Sequence, residues 1–113
     1  MRDILFIASY LKEMYDEIYE IRSEKDPNRL TEMKLHKLLY FAQKTHYTHF
    51  GEWLFNDDFE GWKHGPVNVR VRNLYPYFLS TEDELSDKEE YTLREVIYDF
   101  GELSAWELRK LSH

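Results

Sequence analysis

Five histidines, six serines and one pair of adjacent aspartates are the side chains through which this sequence could do chemistry. His46 and His49 stand one helical turn apart and His36 lies ten residues before His46, so all three can share a broad helix face. A zinc-binding helix asks for four-residue histidine spacing with a glutamate after the first. That pattern is absent, and no metal is expected. Ser9, Ser23, Ser80, Ser86, Ser104 and Ser112 fall in helix, cap or loop contexts, and no nucleophile-elbow pattern surrounds any of them. Asp57 and Asp58 sit where a turn tip is expected, a place where carboxylates cap backbone amides. The four glycines make no phosphate-binding loop. With no cysteine, disulfides, zinc-thiolate sites and thiol nucleophiles drop out together, and a reducing compartment fits. Neither an enzyme nor a cofactor is expected.

Charge narrows the partners. The 113-residue chain has a net charge of −7, which repels phosphate backbones unless basic residues are gathered on one face. Lys63, Arg70 and Arg72 form an acid-free stretch, but three charges are few, so nucleic acid is not expected. Between Glu82 and Glu107 ten acids face two bases, Lys88 and Arg94, so the negative excess is concentrated in the last third. Such a run is a solvated helix face or an attraction for a basic partner. The longest N-terminal apolar run, Ile4 to Ala8, is five residues, too short for a signal-peptide core or a membrane span. The expected location is cytoplasmic. Aromatic residues are abundant at 17%, more than one small core can hide, and exposed aromatics commonly anchor protein interfaces.

The elements that must position these side chains are mostly helical. Asp3 caps a first helix expected to run to about Ser23, with Ile4, Ile7, Ala8, Leu11, Met14, Tyr15, Ile18 and Ile21 on one stripe. Pro27 and Asn28 break it. Thr31 caps a second helix that Gly51 ends; Leu35, Leu38, Leu39, Ala42 and His46 form its buried stripe, while Lys34, Lys37 and Lys44 keep another side wet. Trp53–Phe55 and Phe59–Trp62 read as two short extended pieces around a turn. Pro66 suits the first position of a third helix carrying Val67, Val71, Leu74 and Phe78, which Pro76 ends. An acidic loop over Ser80–Leu85 follows. Ser86 with Glu89 boxes a fourth helix, with Leu93, Val96, Ile97 and Phe100 inward and Gly101 as its stop. Ser104 with Glu107 boxes a short fifth holding Trp106, Leu108 and Leu111. The expected fold is mainly α, one domain over 1–113. It is a compact bundle of about five helices around a central helix at about 31–50, with a small β-hairpin at about 53–62.

Two blocks carry a family likeness. The helix Lys34-Leu35-His36-Lys37-Leu38-Leu39-Tyr40-Phe41-Ala42-Gln43, followed by Gly51, Leu54-Phe55, Asp58-Phe59-Glu60, Trp62 and His64-Gly65-Pro66-Val67, resembles the Panacea antitoxin domain of phage-associated, SocA-like proteins. Leu93 to His113 is similar to the family's C-terminal part in a looser way. The family usually continues past a Thr/Ser-His pair, here Ser112-His113, with a Pro-Trp step, so this chain reads as short at its C-terminus. Asn68-Val69-Arg70-Val71-Arg72 replaces the usual proline-containing continuation after Val67.

The resemblance implies a non-enzymatic protein that neutralises a cognate toxin in a bacterial or prophage toxin–antitoxin pair, usually by direct binding. One relative instead delivers its toxin to a protease as an adaptor. Attached DNA-binding or zinc domains, carried by some relatives, are not expected here. The runner-up is a phage or mobile-element adaptor or regulator whose partner is not a toxin. The expected partner-binding site is the turn at Trp62, Lys63, His64, Gly65 and Pro66, flanked by Trp53 and Phe55, with Tyr40 and Gln43 from the central helix. A rigid Gly-Pro turn presenting aromatics loses little entropy on binding.

Overall fold

Asp3 opens the first helix, α1 (Ile4–Ile18), by accepting the Leu5 N–H at 2.8 Å. Ile4, Ile7, Ala8 and Leu11 on its inner stripe are fully buried. The structure, a computed structural model, describes residues 2–62, 65–78 and 83–112, with Trp62 and Ser112 described by their main chain alone. The expected end near Ser23 is not reached. Ile21 keeps the apolar spacing, yet its N–H turns back to the Asp16 carbonyl at 2.8 Å and the Glu20 N–H reaches Glu17 at 3.4 Å. This double closure terminates a helix, and the residue in its left-handed position is Glu20, at φ +55°. Glycine ordinarily fills that position, so nothing in the sequence marks the stop.

Thr31 caps α2 (Glu32–Phe50), accepting the Lys34 N–H at 3.3 Å. Gly51 ends it at φ +67°, its N–H donating to Tyr47. Helix α2 is packed by neighbours from several sides, so its buried arc is wider than one stripe. Leu35, Leu38, Leu39, Ala42 and His46 are buried as expected, and His36 and Phe41 join them. So do Lys34 and Lys37, which corrects the expectation of a wet lysine face; Lys44 alone of the three stays exposed. The Lys34 ammonium donates to the Tyr15 hydroxyl at 3.0 Å and to the Gly101 carbonyl.

Lys37 is 1% exposed, and no described residue hydrogen-bonds its ammonium. Burial, and then the charge of Arg109, hold its pKa below the usual lysine value. Replacing Lys37 by Met keeps a stem of similar length and removes the desolvated charge. Lys37→Met is therefore expected to stabilise the protein by about 1–2 kcal/mol, read as a higher thermal midpoint. A lower midpoint would show that the ammonium has a compensating partner.

After α2 the chain runs extended and then forms a two-stranded antiparallel sheet, β1 (Glu60–Trp62) with β2 (Gly65–Val67). Glu60 lies opposite Val67, Gly61 opposite Pro66 and Trp62 opposite Gly65. The hairpin thus starts later than the expected 53–62. Trp53–Phe55 does not pair with it; Phe55 bridges instead to Arg2 in parallel. The Arg2 N–H donates to Leu54 at 3.3 Å, and the Asn56 N–H donates to Arg2 at 3.2 Å. Pro66 is a strand residue rather than a helix start. Asn68 caps α3 (Val69–Leu74), its Oδ1 accepting the Val71 N–H at 3.0 Å, because asparagine offers the acceptor that a helix start needs. Val67 and Val71 are buried, whereas Leu74 is exposed, and α3 ends ahead of Pro76.

The Ser86–Glu89 box opens α4 (Asp87–Phe100), with both reciprocal bonds formed. Leu93, Val96 and Ile97 enter the core, and Phe100 stacks on Phe41 at 4.5 Å between centroids. The Ser104–Glu107 box opens α5 (Ala105–Ser112). Of the three apolar residues expected to hold it, Leu108 alone is buried. Trp106 and Leu111 stand exposed, with Arg109 and Lys110 over the Trp106 ring. The protein is therefore mainly helical, with five helices and a small sheet about a central α2 among the described residues. The expected roles of Lys63 and His64, the Ser80–Glu82 part of the acidic loop, and His113 lie outside the described residues.

Candidate functional site

The segment after Gly51 is held to α2 by one side chain. Gln43 Oε1 accepts the N–H groups of Leu54 at 2.7 Å and Phe55 at 3.3 Å, and its Nε2 donates to the Phe55 carbonyl at 2.9 Å. An amide side chain can act as both partners of an extended strand, and Gln43 serves the segment in that way. Leu54 and Phe55 are buried on it. Trp53, one residue earlier, is 50% exposed, and its ring stacks on that of Tyr47, itself 48% exposed, at 4.4 Å and 23°. The left-handed turn at Gly51 makes this possible by reversing the chain, which lays Trp53 back along the last turn of α2.

Around this clamp the expected residues divide. Gln43, Trp53 and Phe55 line one cavity of about 250 Å³ together with Asn56, Asp57, Asp58 and Phe59. Half-buried Tyr40 joins through Phe59, edge-on at 5.7 Å, and carries Lys44 over its own ring. Phe55 belongs to the core and supports the surface from inside. Gly65, buried and at φ +111°, and half-buried Pro66 lie in β2, which packs on α2. Trp62 is placed in β1 by its main chain. The Asn68 amide ties the hairpin side to this segment, donating to the Asp58 carbonyl at 3.0 Å. Its N–H donates to Nδ1 of buried His36 at 3.3 Å. The same region held the basic stretch considered for nucleic acid. There Arg70 is committed to Asp3 at 2.8 Å and Asp57 at 2.9 Å.

The surface continues past what sequence reasoning found. Phe50 and His49 both meet Tyr91 of α4 edge-on, at 5.9 and 5.6 Å, and Lys88 lies over Phe50. Three residues apart on α2, Tyr47 and Phe50 set the Trp53 stack and the Phe50–Tyr91 pair side by side as two aromatic groups, together an aromatic belt. For Tyr47 a signal did exist, since an aromatic on each side of a helix-ending glycine is brought face to face when the chain reverses.

Behind Trp53 a second cavity, of about 410 Å³, is lined by Arg2, His46, Glu52, Trp53, Leu54, Ser86 and Glu89. Burial holds His46 below its ordinary pKa against the pull of Glu52 and Glu89, so the ring is neutral near pH 7. Burial pushes the Glu89 carboxyl up, but hydrogen bonds from Arg2 and Ser86 outweigh it and leave the pKa lowered. The hydroxyl nearest His46, that of Thr92, is fully buried and donates to the Lys88 carbonyl at 3.0 Å, so it is no nucleophile. Among the described residues no three His, Asp or Glu side chains are placed to hold a metal ion. No described helix is long and apolar enough to cross a membrane. What these groups can do is present shape, aromatic surface and a few hydrogen-bond acceptors.

The family model described as Antitoxin SocA-like, Panacea domain, matches residues 35–113. That span takes in the Gln43 clamp, the aromatic belt and the hairpin, and leaves α1 outside. No curated protein and no solved structure matches the chain.

Proposed function

As the chain belongs to the SocA-like Panacea antitoxin family, we propose that it binds a cognate toxin protein directly and neutralises it, in a bacterial or prophage toxin–antitoxin pair. It does so in the cytoplasm and without catalysis. The observation that carries this reading is the half-exposed Trp53–Tyr47 stack, mounted on a segment that Gln43 bonds three times to the central helix. Large aromatics on a rigid mount are the side chains that dominate binding energy at protein interfaces, because little freedom is lost when they are covered. Trp53 makes the contact, with Tyr40 at its margin. Gln43 and Phe55 fix its position from within, and Trp62, Lys63, His64, Gly65 and Pro66 are proposed to add to the contact.

The test is co-expression with the toxin gene neighbouring this one, scored for growth and for a stable complex. Trp53→Ala is expected to weaken the complex about 10- to 100-fold and to abolish rescue. Since the ring is half in water, circular dichroism and thermal midpoint should change little. Unaltered rescue by Trp53→Ala would place the contact elsewhere. Loss of the toxin only when a cellular protease is present would favour an adaptor over direct neutralisation.

A further inference from the structure

His46 Nε2 and a Glu52 carboxylate oxygen face each other in the cavity behind Trp53, 3.6 Å apart. Thr92 has one hydroxyl proton, and the Lys88 carbonyl takes it at 3.0 Å. The Thr92 oxygen can then only accept from His46 Nδ1, 2.7 Å away, which assigns the imidazole proton to Nδ1 from the hydrogen-bond network. Nε2 is left with a lone pair. It faces Glu52 Oε1 at 3.6 Å, another acceptor and too distant for a hydrogen bond. His46 is 3% exposed, while the Glu52 side chain is 54% exposed.

The other charges around the cavity are already matched. Glu89 is bonded by Arg2 at 2.8 Å and by the Ser86 N–H at 2.7 Å. Lys88 stands outside the lining, exposed, with its ammonium 3.7 Å from the same Glu52 oxygen. It is a competitor for Glu52 and not an occupant of the space. Trp53 is part of the lining, and an indole attracts a cation that reaches its face. Two donors are too few for a structural metal site, which takes four protein ligands.

We propose that this cavity is a socket for a lysine or arginine side chain of the protein partner, whose N–H groups are accepted jointly by His46 Nε2 and the Glu52 carboxylate. The socket adjoins the aromatic belt, so one partner surface covers both: apolar groups on Trp53 and Tyr47, a cationic end beside them. The chain's net charge of −7 favours the approach of such a partner. The proposal rests on the reading that a partner protein covers the Trp53 face.

The experiment uses the intact protein without toxin. Isotope-labelled protein is titrated in an NMR tube with blocked lysine, blocked arginine and, as the neutral isostere, blocked citrulline. The free protein should show His46 protonated on Nδ1. The cationic probes should shift the His46 Nε2 and Trp53 indole signals and saturate in the millimolar range. Citrulline should bind about 10-fold more weakly or not at all. Glu52→Gln, at an exposed side chain, should weaken the cationic probes by a similar factor and leave the fold unchanged. Lys88→Met, which removes the competitor, should strengthen them. Protonation of His46 on Nε2, equal shifts from citrulline, or indifference to Glu52→Gln would each overturn the socket. Zinc moving the same signals at micromolar concentration would overturn it in favour of a metal site. Failure of the probes leaves the toxin-binding reading standing. Rescue by Trp53→Ala removes that reading while leaving a measurable cation site.

Discussion

Gln43→Leu is expected to destabilise the protein by about 3–4 kcal/mol. The glutamine makes three bonds to the backbone of Leu54 and Phe55, and both residues are buried. Leucine fills the same volume but answers none of those groups, so two N–H groups and a carbonyl are left dry and unpaired. An unpaired buried polar group costs roughly 1–3 kcal/mol each, and the figure is kept low because one of the three bonds is long, at 3.3 Å. Gln43→Glu is the discriminating control. Its carboxylate still accepts the two N–H groups but cannot donate to the Phe55 carbonyl, and its loss should be intermediate. Urea unfolding of the three proteins measures the series. If Gln43→Leu kept its midpoint and lost only the proposed partner contact, the side chain would be a contact and not a clamp.

Acidification should also destabilise the protein, through His36. The imidazole is 1% exposed and accepts the Asn68 N–H on Nδ1. Burial, followed by the charges of Lys37 and Arg72, pushes its pKa down from 6.5 to about 4. Glu32 stands 3.5 Å from Nε2, beyond hydrogen-bond reach, and does not restore it. In the unfolded chain the ring takes up a proton near pH 6.5, and in the folded protein it does not until about pH 4. The unfolded state therefore binds more protons across that window, so stability is complete above pH 6.5 and falls as pH drops toward 4. The loss over the full window is about 3 kcal/mol. Carboxylates add their own acid dependence, so the measurement is a difference. In His36→Gln an amide oxygen can accept the same N–H without titrating. Its stability gap from the wild-type protein should narrow between pH 7 and pH 4.5. A gap constant with pH would mean that His36 titrates alike in both states.

The features legible in the sequence are those set by a residue and its near neighbours. The Thr31, Ser86 and Ser104 caps and the Gly51 stop are local chemistry, and each lies where its type and spacing put it. The failures have a shared cause in tertiary context. Glu20 at positive φ closes α1 with a residue whose type gives no warning. Periodicity finds one apolar stripe, but it cannot know that α2 is packed from several sides, so Lys34 and Lys37 read as surface and are core. Trp53–Phe55 was expected to pair with the later strand, yet its backbone partners are Gln43 and Arg2, one a side chain and the other at the far end of the chain. The candidate site was half visible for the same reason. Trp53, Gln43 and Tyr40 fall inside a recognisable block, whereas His46 and Glu52 acquire meaning only when the fold brings Thr92, 46 residues from His46, against its Nδ1.

Arg2 fastens three distant segments: its main chain to Leu54 and Asn56, its guanidinium to Glu89 and to the Glu84 carbonyl. The partners of its guanidinium lie 87 and 82 residues further along the sequence, so Arg2 is fully fastened only when those segments are in place. A nascent chain ending before Glu89 has no finished wall behind Trp53. The wall behind Trp53 therefore forms only with the tertiary fold, and loosening any one of the three segments loosens it.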